Sequence, residues 1–435
     1  MWSEFFHRLG DPARRNPQAV LAIVIVWACI ALYIHWLSPG SDLWALYVAG
    51  HFIAEGQPHL VYASPDGFFG GTAPEWGAVV AALDLPSDTA FPYIYPPIWA
   101  WIMSWVTPHI SPQAFGRAFL IVNIALCALS VLIAARLVRP VRLSLPLWCV
   151  TAGALLLFSV FSYAALFFNQ PQIVVTFLIL LAFERLLAGA DKSAGALLAL
   201  GAAMKIMPGV FVIIMLAERR WRAAGSFALT GIALLAASIL LAGPDLHRDF
   251  LAALSKVSGK LAAVPVNGSA QLVATFVLHQ WGVLTSVDIS NREILTQLNT
   301  PSLPLINWGA RFCLVALTAS FFVRVRPLPL QKRIALSVLV LSILLPLFSP
   351  IGWLHYYLLP VMMLPVLLDR WYSLRSAAIF AALLTLLSFE LFFSTIVDFG
   401  LLWPIANSVL VIFWGAVLAT LWWIAGEEAP SRGSA

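Results

Sequence analysis

The chain has 435 residues, 61% of them hydrophobic and 10% charged, with a formal net charge of +5 and a mean hydropathy of +0.90. These values exclude a soluble globular or disordered protein. They fit a multi-pass membrane protein whose small positive balance reports topology, with no role for nucleic acid.

About ten apolar runs approach the length of a membrane span, roughly 20 residues at 1.5 Å rise. They cover 18–37, 113–135, 145–168, 171–189, 223–242, 306–323, 334–349, 353–368, 376–393 and 404–425. All are expected to be helical, because lipid offers no partner to a free backbone amide. The expected fold is therefore an all-α polytopic membrane protein, a single domain over 1–435 with about 10–13 membrane helices including re-entrant and juxtamembrane segments. The opening "MWSEFFHRLGDPARRNPQAV" leads into a run that reaches Trp36 without a small-residue cleavage site, which reads as an anchor and not a signal peptide.

The first long connection, 38–112, starts with "SPGSDLWALYVAGHFIAEGQPHLVY". Ser41 or Asp42 is suited to cap a helix from about Leu43 to Glu55. The apolar positions Leu43, Leu46, Tyr47, Phe52 and Ile53 would lay that helix on the membrane, with the Asp42 carboxylate at the boundary as a possible general base. Further on, "YIYPPIWAWIMSW" carries two prolines and three tryptophans. Basic groups on either side leave no room for a third crossing there, so 91–109 is expected to be re-entrant or interfacial.

Arg117 lies near the outer end of its span, where anchoring is the ordinary role, as it is for Arg311. "NQPQ" at 169–172 reads as an external turn. The stretch 193–216 starts after Lys192 and ends before Arg219. A pair of half-helices broken at Lys205–Pro208 keeps both ends on one side, and places an ammonium at membrane depth where it can bind a phosphate.

The second long connection, 243–305, contains Asn267, Gly268 and Ser269, which read first as a turn. In "LFSPIGWLHYYLLPVMMLP" a proline-broken junction collects Ser349, Pro350, Trp353, His355 and Tyr356. A ligand-facing histidine and a hydrogen-bonded structural one are both open readings. Cys29, Cys127, Cys149 and Cys313 each sit inside an apolar run. They have no metal-ligand spacing, and no D-x-D, P-loop or GxGxxG occurs. Neither a metal nor a cofactor is expected.

Seven basic groups punctuate the chain: Arg8/Arg14/Arg15, Arg136/Arg139/Arg142, Arg185/Lys192, Arg219/Arg220/Arg222, Arg324/Arg326/Lys332/Arg333, Arg370/Arg375 and Arg432. Placing all of them in the cytoplasm puts both termini inside a cell (inner) membrane and both long connections outside.

Taken in order, these motifs resemble glycosyltransferase family 87. The likeness is carried by "SDLWALYVAGHFIAEGQPHLVY", "YIYPP", "NQPQ", "AGALLALGAAMKIMPG" before "ERRWR", Asn267 to Ser269, and "SPIGWLHYYLLP". The resemblance implies a GT-C-type helical bundle with its site under the first external loop. It implies transfer of a hexose, most often mannose, from a polyprenyl-phosphate donor to a lipid or glycan acceptor, in contact with membrane lipids. It further implies a catalytic base at Asp42 and a contribution from His355. Lys205, Tyr95, Asn267, Tyr356 and Arg117 are candidate contacts to donor phosphate and sugar, with Tyr356 standing where many relatives have a second histidine.

The expected chemistry is metal-free and inverting. Asp42, ionised at an ordinary carboxylate pKa of about 3.9, takes the acceptor proton while a cation stabilises the leaving phosphate. The competing readings are a transporter or flippase of lipid-linked sugars, suited to a many-helix protein with an intramembrane lysine, and a non-catalytic scaffold.

Overall fold

A computed structural model describes residues 16–38, 40–65, 71–86, 90–258, 260–283, 299–301, 303–399 and 403–427. The basic groups at Arg8/Arg14/Arg15 and Arg432, and part of the second long connection, lie outside the described residues.

The helices start where the sequence supplies caps and prolines. The Asn16 side chain accepts the Ala19 amide at 3.0 Å and Pro17 fills the first turn of α1 (Pro17–His35). The first long connection holds α2 (Ser41–Ala54), α3 (Gly77–Ala82) and α4 (Pro97–Ser104). Ser111 then caps α5 (Pro112–Val138), a 27-residue helix. α6 (Leu145–Phe158) and α7 (Val160–Phe167) are parted at Ser159, whose hydroxyl caps the second of them, and α8 (Gln172–Leu187) turns 117° away from α7.

Next come α9 (Asp191–Met204), a 3-10 turn at Met207–Phe211, α10 (Val212–Ala217), α11 (Trp221–Ala242) and α12 (Pro244–Ser258). A short antiparallel ribbon pairs β1 (Lys260–Ala262) with β2 (Asn299–Pro301) on either side of α13 (Ala270–Gln280). α14 (Pro304–Val325) and α15 (Leu330–Phe348) are followed by a 3-10 turn at Leu354–Tyr357 and two short helices, α16 (Leu358–Met363) and α17 (Pro365–Arg370). The described chain ends with α18 (Leu374–Leu386), α19 (Phe389–Phe399) and α20 (Trp403–Glu427).

The fold is all-α and polytopic. By length and composition, six helices among the described residues can cross a membrane, or seven if the bent α7–α8 pair counts as one. The runs at 145–168, 353–368 and 376–393 are interrupted, at Ser159, at Leu364–Pro365 and at Leu387–Ser388. Hydropathy reads composition and is blind to where a hydroxyl or proline ends a helix.

The segment 191–220 returns on itself. Asp191, at the start of α9, pairs with Arg220 beyond α10 at 3.1 Å, and Arg220 also donates to the Leu186 carbonyl at 2.6 Å. The first half-helix therefore begins and the second ends at one end of the bundle, with the break at Lys205 between them. That end also gathers other basic groups. Arg333 grips Glu218 at 2.6 Å, Gln331 donates to Leu137, and Arg142 donates to the Arg370 carbonyl at 2.9 Å.

Two hydrophobic cores form. The larger fills the bundle, with Trp148, Phe161, Phe183, Phe321, Tyr357 and Trp414 fully enclosed. The smaller is built by the first long connection, where Tyr47, Phe52, Trp76 and Tyr93 pack with Phe250 of α12. Its aromatic rings stay amphipathic: Trp76 donates to the Leu60 carbonyl and Tyr62 to the Tyr95 carbonyl, each at 2.8 Å.

α2 is enclosed in this core. Leu43, Tyr47 and Phe52 are buried against protein, so the expectation of a helix lying on the membrane is corrected. Apolar residues surround α2 on nearly every side, which suits a core helix better than a surface one. α4 has eight residues, a rise of about 12 Å. It stops well short of a crossing, in keeping with the re-entrant or interfacial reading of 91–109.

Candidate active site

Asp42 owes its freedom to Gly40. The chain enters α2 with Gly40 in the left-handed region, φ 63°, where glycine is at no steric disadvantage. The Gly40 amide is held by the Phe167 carbonyl at 3.2 Å. Gly40 is thus the cap residue, and neither Ser41 nor Asp42 makes a side-chain capping bond, contrary to the expectation from the sequence. Asp42 occupies the second helical position, where the helix dipole favours an anion, and its carboxylate lines a cavity.

That cavity has a volume of about 360 Å³, within the usual range of ligand pockets, about 300–1,000 Å³. Asp42 and Ala45 contribute from α2, Phe91, Pro92 and Ile94 to Pro96 from the approach to α4, and Lys205 to Met207 from the helix break. Trp353 to Tyr356 complete the far wall.

Each wall is fixed from behind. Tyr93 donates to the Pro96 carbonyl at 2.8 Å and accepts the Ala100 amide at 3.0 Å, which bends 93–96 into the start of α4. α9 ends at Met204 and Lys205 takes an extended conformation, φ −141° and ψ 134°. The Ala203 carbonyl left over by the break receives the Trp99 indole at 2.7 Å.

The Lys205 ammonium stands over two rings, 4.9 Å from the centre of Tyr356 and 5.6 Å from that of Tyr95. Its side chain has no hydrogen bond or ion pair among the described residues. The opposite charges of Asp42 and Lys205 influence each other without pairing. Both line the cavity.

Burial dominates the protonation of Asp42. It pushes the carboxyl up, the Lys205 charge pulls it back, and the result is about 7. The sequence-based expectation of an ordinary carboxylate value is corrected, because the cavity is walled by aromatic and aliphatic groups.

His355 is buried between Trp353 and Tyr356, its ring 4.7 Å from that of Tyr356. Its Nε2 has no hydrogen-bond partner among the described residues. Asn267 fixes this wall from outside. Fully buried, it donates to the Ala262 carbonyl at 2.7 Å and the Pro350 carbonyl at 3.1 Å, and accepts the amides of Ser269 at 3.2 Å and Gly352 at 2.8 Å.

The structure therefore brings Asp42, Lys205, Tyr95, His355 and Tyr356 to one cavity. Asn267 supports the wall without lining it. Arg117 lies elsewhere, its guanidinium 5.3 Å from the centre of the Trp36 ring. Gln170 was missed by sequence reasoning. The "NQPQ" turn is folded inward between α7 and α8: Asn169 bonds Asn123 and the Gly116 carbonyl at 2.9 Å each, and Gln170 lines the cavity with Oε1 buried and unpartnered. Two amides beside a proline in so apolar a context were the available signal. Among the described residues no group of three or more His, Cys, Asp or Glu is arranged to hold a metal.

A buried carboxylate and an unpaired ammonium facing one cavity suit a reaction in which a proton leaves one group as negative charge grows near another. The model of glycosyltransferase family 87 matches residues 93–350. Tyr95, Arg117, Lys205 and Asn267 fall inside this range; Asp42, His355 and Tyr356 fall outside it. No curated protein gives a significant match. With more than half of its length matched, the chain belongs to glycosyltransferase family 87, and it is a membrane glycosyltransferase.

Proposed function

We propose that this enzyme transfers a hexose, with mannose the first candidate, from a polyprenyl-phosphate donor to a lipid or glycan acceptor on the extracytoplasmic face, with inversion. The observation that carries this reading is that Asp42 and Lys205 line one cavity and feel each other's charge. Asp42 is the proposed base. Poised at about 7, it is partly ionised at neutral pH and basic enough to take the acceptor hydroxyl's proton as that oxygen attacks the anomeric carbon.

Lys205 is the proposed counter-charge for the leaving phosphate. An ammonium in an aromatic setting is weakly screened, and a preorganised donor of this kind is typically worth about 10²–10³ in rate. In this reading the acceptor oxygen attacks the sugar from the face opposite the departing phosphate, hence inversion. The His355 Nε2 and Gln170 Oε1, both without partners, are proposed contacts to sugar hydroxyls or phosphate. The whole chain is proposed to work as one domain, with both termini in the cytoplasm of a cell membrane. The transporter reading gains no support from the family match.

The test is transfer from radiolabelled polyprenyl-phosphate-mannose in membranes carrying wild type or Asp42→Asn, with other lipid-linked sugars in parallel. Loss of about 10²–10⁴ in rate is expected for the variant. Near-normal turnover by a correctly folded Asp42→Asn protein refutes the base; wild-type transfer of another sugar alone corrects the donor.

A further inference from the structure

The transfer reaction makes no use of a second cavity, about 240 Å³ in volume, at the other end of the bundle. α5 connects the two. Near its start the Gly116 carbonyl takes the Asn169 bond beside the first cavity, and at its end Val138 lines the second. Gly116 and Val138 are 22 positions apart on this helix, about 33 Å.

The composition of this cavity is divided. Leu336, Leu339, Met363, Leu421 and Ile424 form an apolar wall, while Arg139, Arg142, Lys332 and Arg370 supply four cations against one carboxylate, Asp369. Asp369 is already spent on the backbone, accepting the amides of Val141, Arg142 and Leu143 at 3.0, 2.6 and 2.7 Å. Those bonds shape the loop that carries Arg139 and Arg142. Arg139 itself has a left-handed backbone, φ 53°, which a non-glycine residue adopts at a cost.

Arg370 binds Glu427 at 2.8 Å through one terminal nitrogen, yet its Nε is buried without a partner among the described residues. Glu427 offsets part of the Arg370 charge, but the cations gathered around one hollow still repel one another, and a bound anion lowers that penalty. Guanidinium groups with free N–H bonds match phosphate oxygens. The apolar wall adds a second requirement, because inorganic phosphate has nothing to place against leucine and methionine.

We infer that this cavity binds the phosphate group of an anionic glycerophospholipid, with the start of an acyl chain against the Leu336–Met363–Leu421 wall. The phosphate sits between the Arg139–Arg142 loop and Lys332. Basic pockets between membrane helices are physically suited to anionic headgroups.

The experiment uses the purified full-length protein, delipidated in detergent and titrated with phosphatidylglycerol, phosphatidylcholine or inorganic phosphate, with bound lipid counted by native mass spectrometry. Wild type is expected to retain phosphatidylglycerol over phosphatidylcholine. An Arg139→Gln/Lys332→Gln double variant is expected to lose about tenfold or more in affinity. The charge-keeping Arg139→Lys/Lys332→Arg variant is expected to recover most of it, which separates lost charge from lost folding. Equal retention of the two lipids by wild type overturns the inference, as does undiminished phosphatidylglycerol binding by the glutamine variant. Inorganic phosphate binding as tightly as the lipid overturns the assignment to a lipid.

Discussion

Replacing Lys205 with methionine separates the two roles of its charge. Methionine keeps a long, flexible stem in the helix break and removes the ammonium. In the wild-type site burial raises the Asp42 carboxyl and Lys205 restrains it at about 7. Removing the restraint sends Asp42 upward, by about one unit for an opposite charge at this kind of range. At pH 7 a base with a pKa of about 7 is half ionised, and one near 8 about one-tenth ionised, a loss of about fivefold. Loss of the counter-charge to phosphate adds about 10²–10³.

The two losses respond differently to pH. Since the base must be deprotonated, the rate falls on the acid side of the Asp42 pKa in either protein. The midpoint of that acid limb should move from near 7 in wild type to higher pH in Lys205→Met. By about pH 9 the protonation loss of the variant is nearly gone. The assay is kcat/KM for labelled sugar transfer between pH 5 and 9.5. A midpoint that stays in place, or moves to lower pH, refutes the coupling of Lys205 to the base.

Gly50→Ala on α2 is expected to destabilise the protein by about 1–3 kcal/mol, seen as a lower melting temperature in detergent. An added Cβ there meets the Met103 side chain and stands 2.7 Å from its backbone carbonyl carbon, so α2 and α4 must part. Asn267→Ala should strip four hydrogen bonds from a buried position, costing several kcal/mol at about 1 kcal/mol each or more. Any folded fraction should bind donor more weakly, measurable as a raised KM. Arg117→Gln should change transfer by no more than a few-fold, because the guanidinium stacks on Trp36 outside the cavity; a loss above a hundredfold in the same assay contradicts that placement.

Helix identity and the placement of Lys205 at a break were legible because proline and an isolated charge in an apolar run have few physical solutions. The cap of α2 was not. Ser41 and Asp42 are both good cap residues by type, and only the Gly40 amide's bond to Phe167, more than a hundred positions away, shows which residue begins the helix. The value for Asp42 was invisible for a related reason. A carboxylate's surroundings are made by 91–96, 205–207 and 353–356 together, and no local spacing encodes their meeting. Gln170 hid behind the ordinary use of Asn, Gln and Pro in turns. Arg117, a charged residue near a span end, packs on an aromatic ring, in keeping with the ordinary anchoring role its position suggests.

The bond from the Trp99 indole to the Ala203 carbonyl has an evolutionary corollary. The carbonyl needs a donor because the helix stops one residue later, at Met204, before the turn whose Met207 amide would have bonded it. A relative in which the helix runs unbroken through 203–208 would use that carbonyl internally, and the indole at 99 would lose its partner. Position 99 and the break at 205–208, far apart in the chain, are therefore coupled through one hydrogen bond. Substitutions at one should be accompanied by substitutions at the other wherever the family explores a different cavity wall.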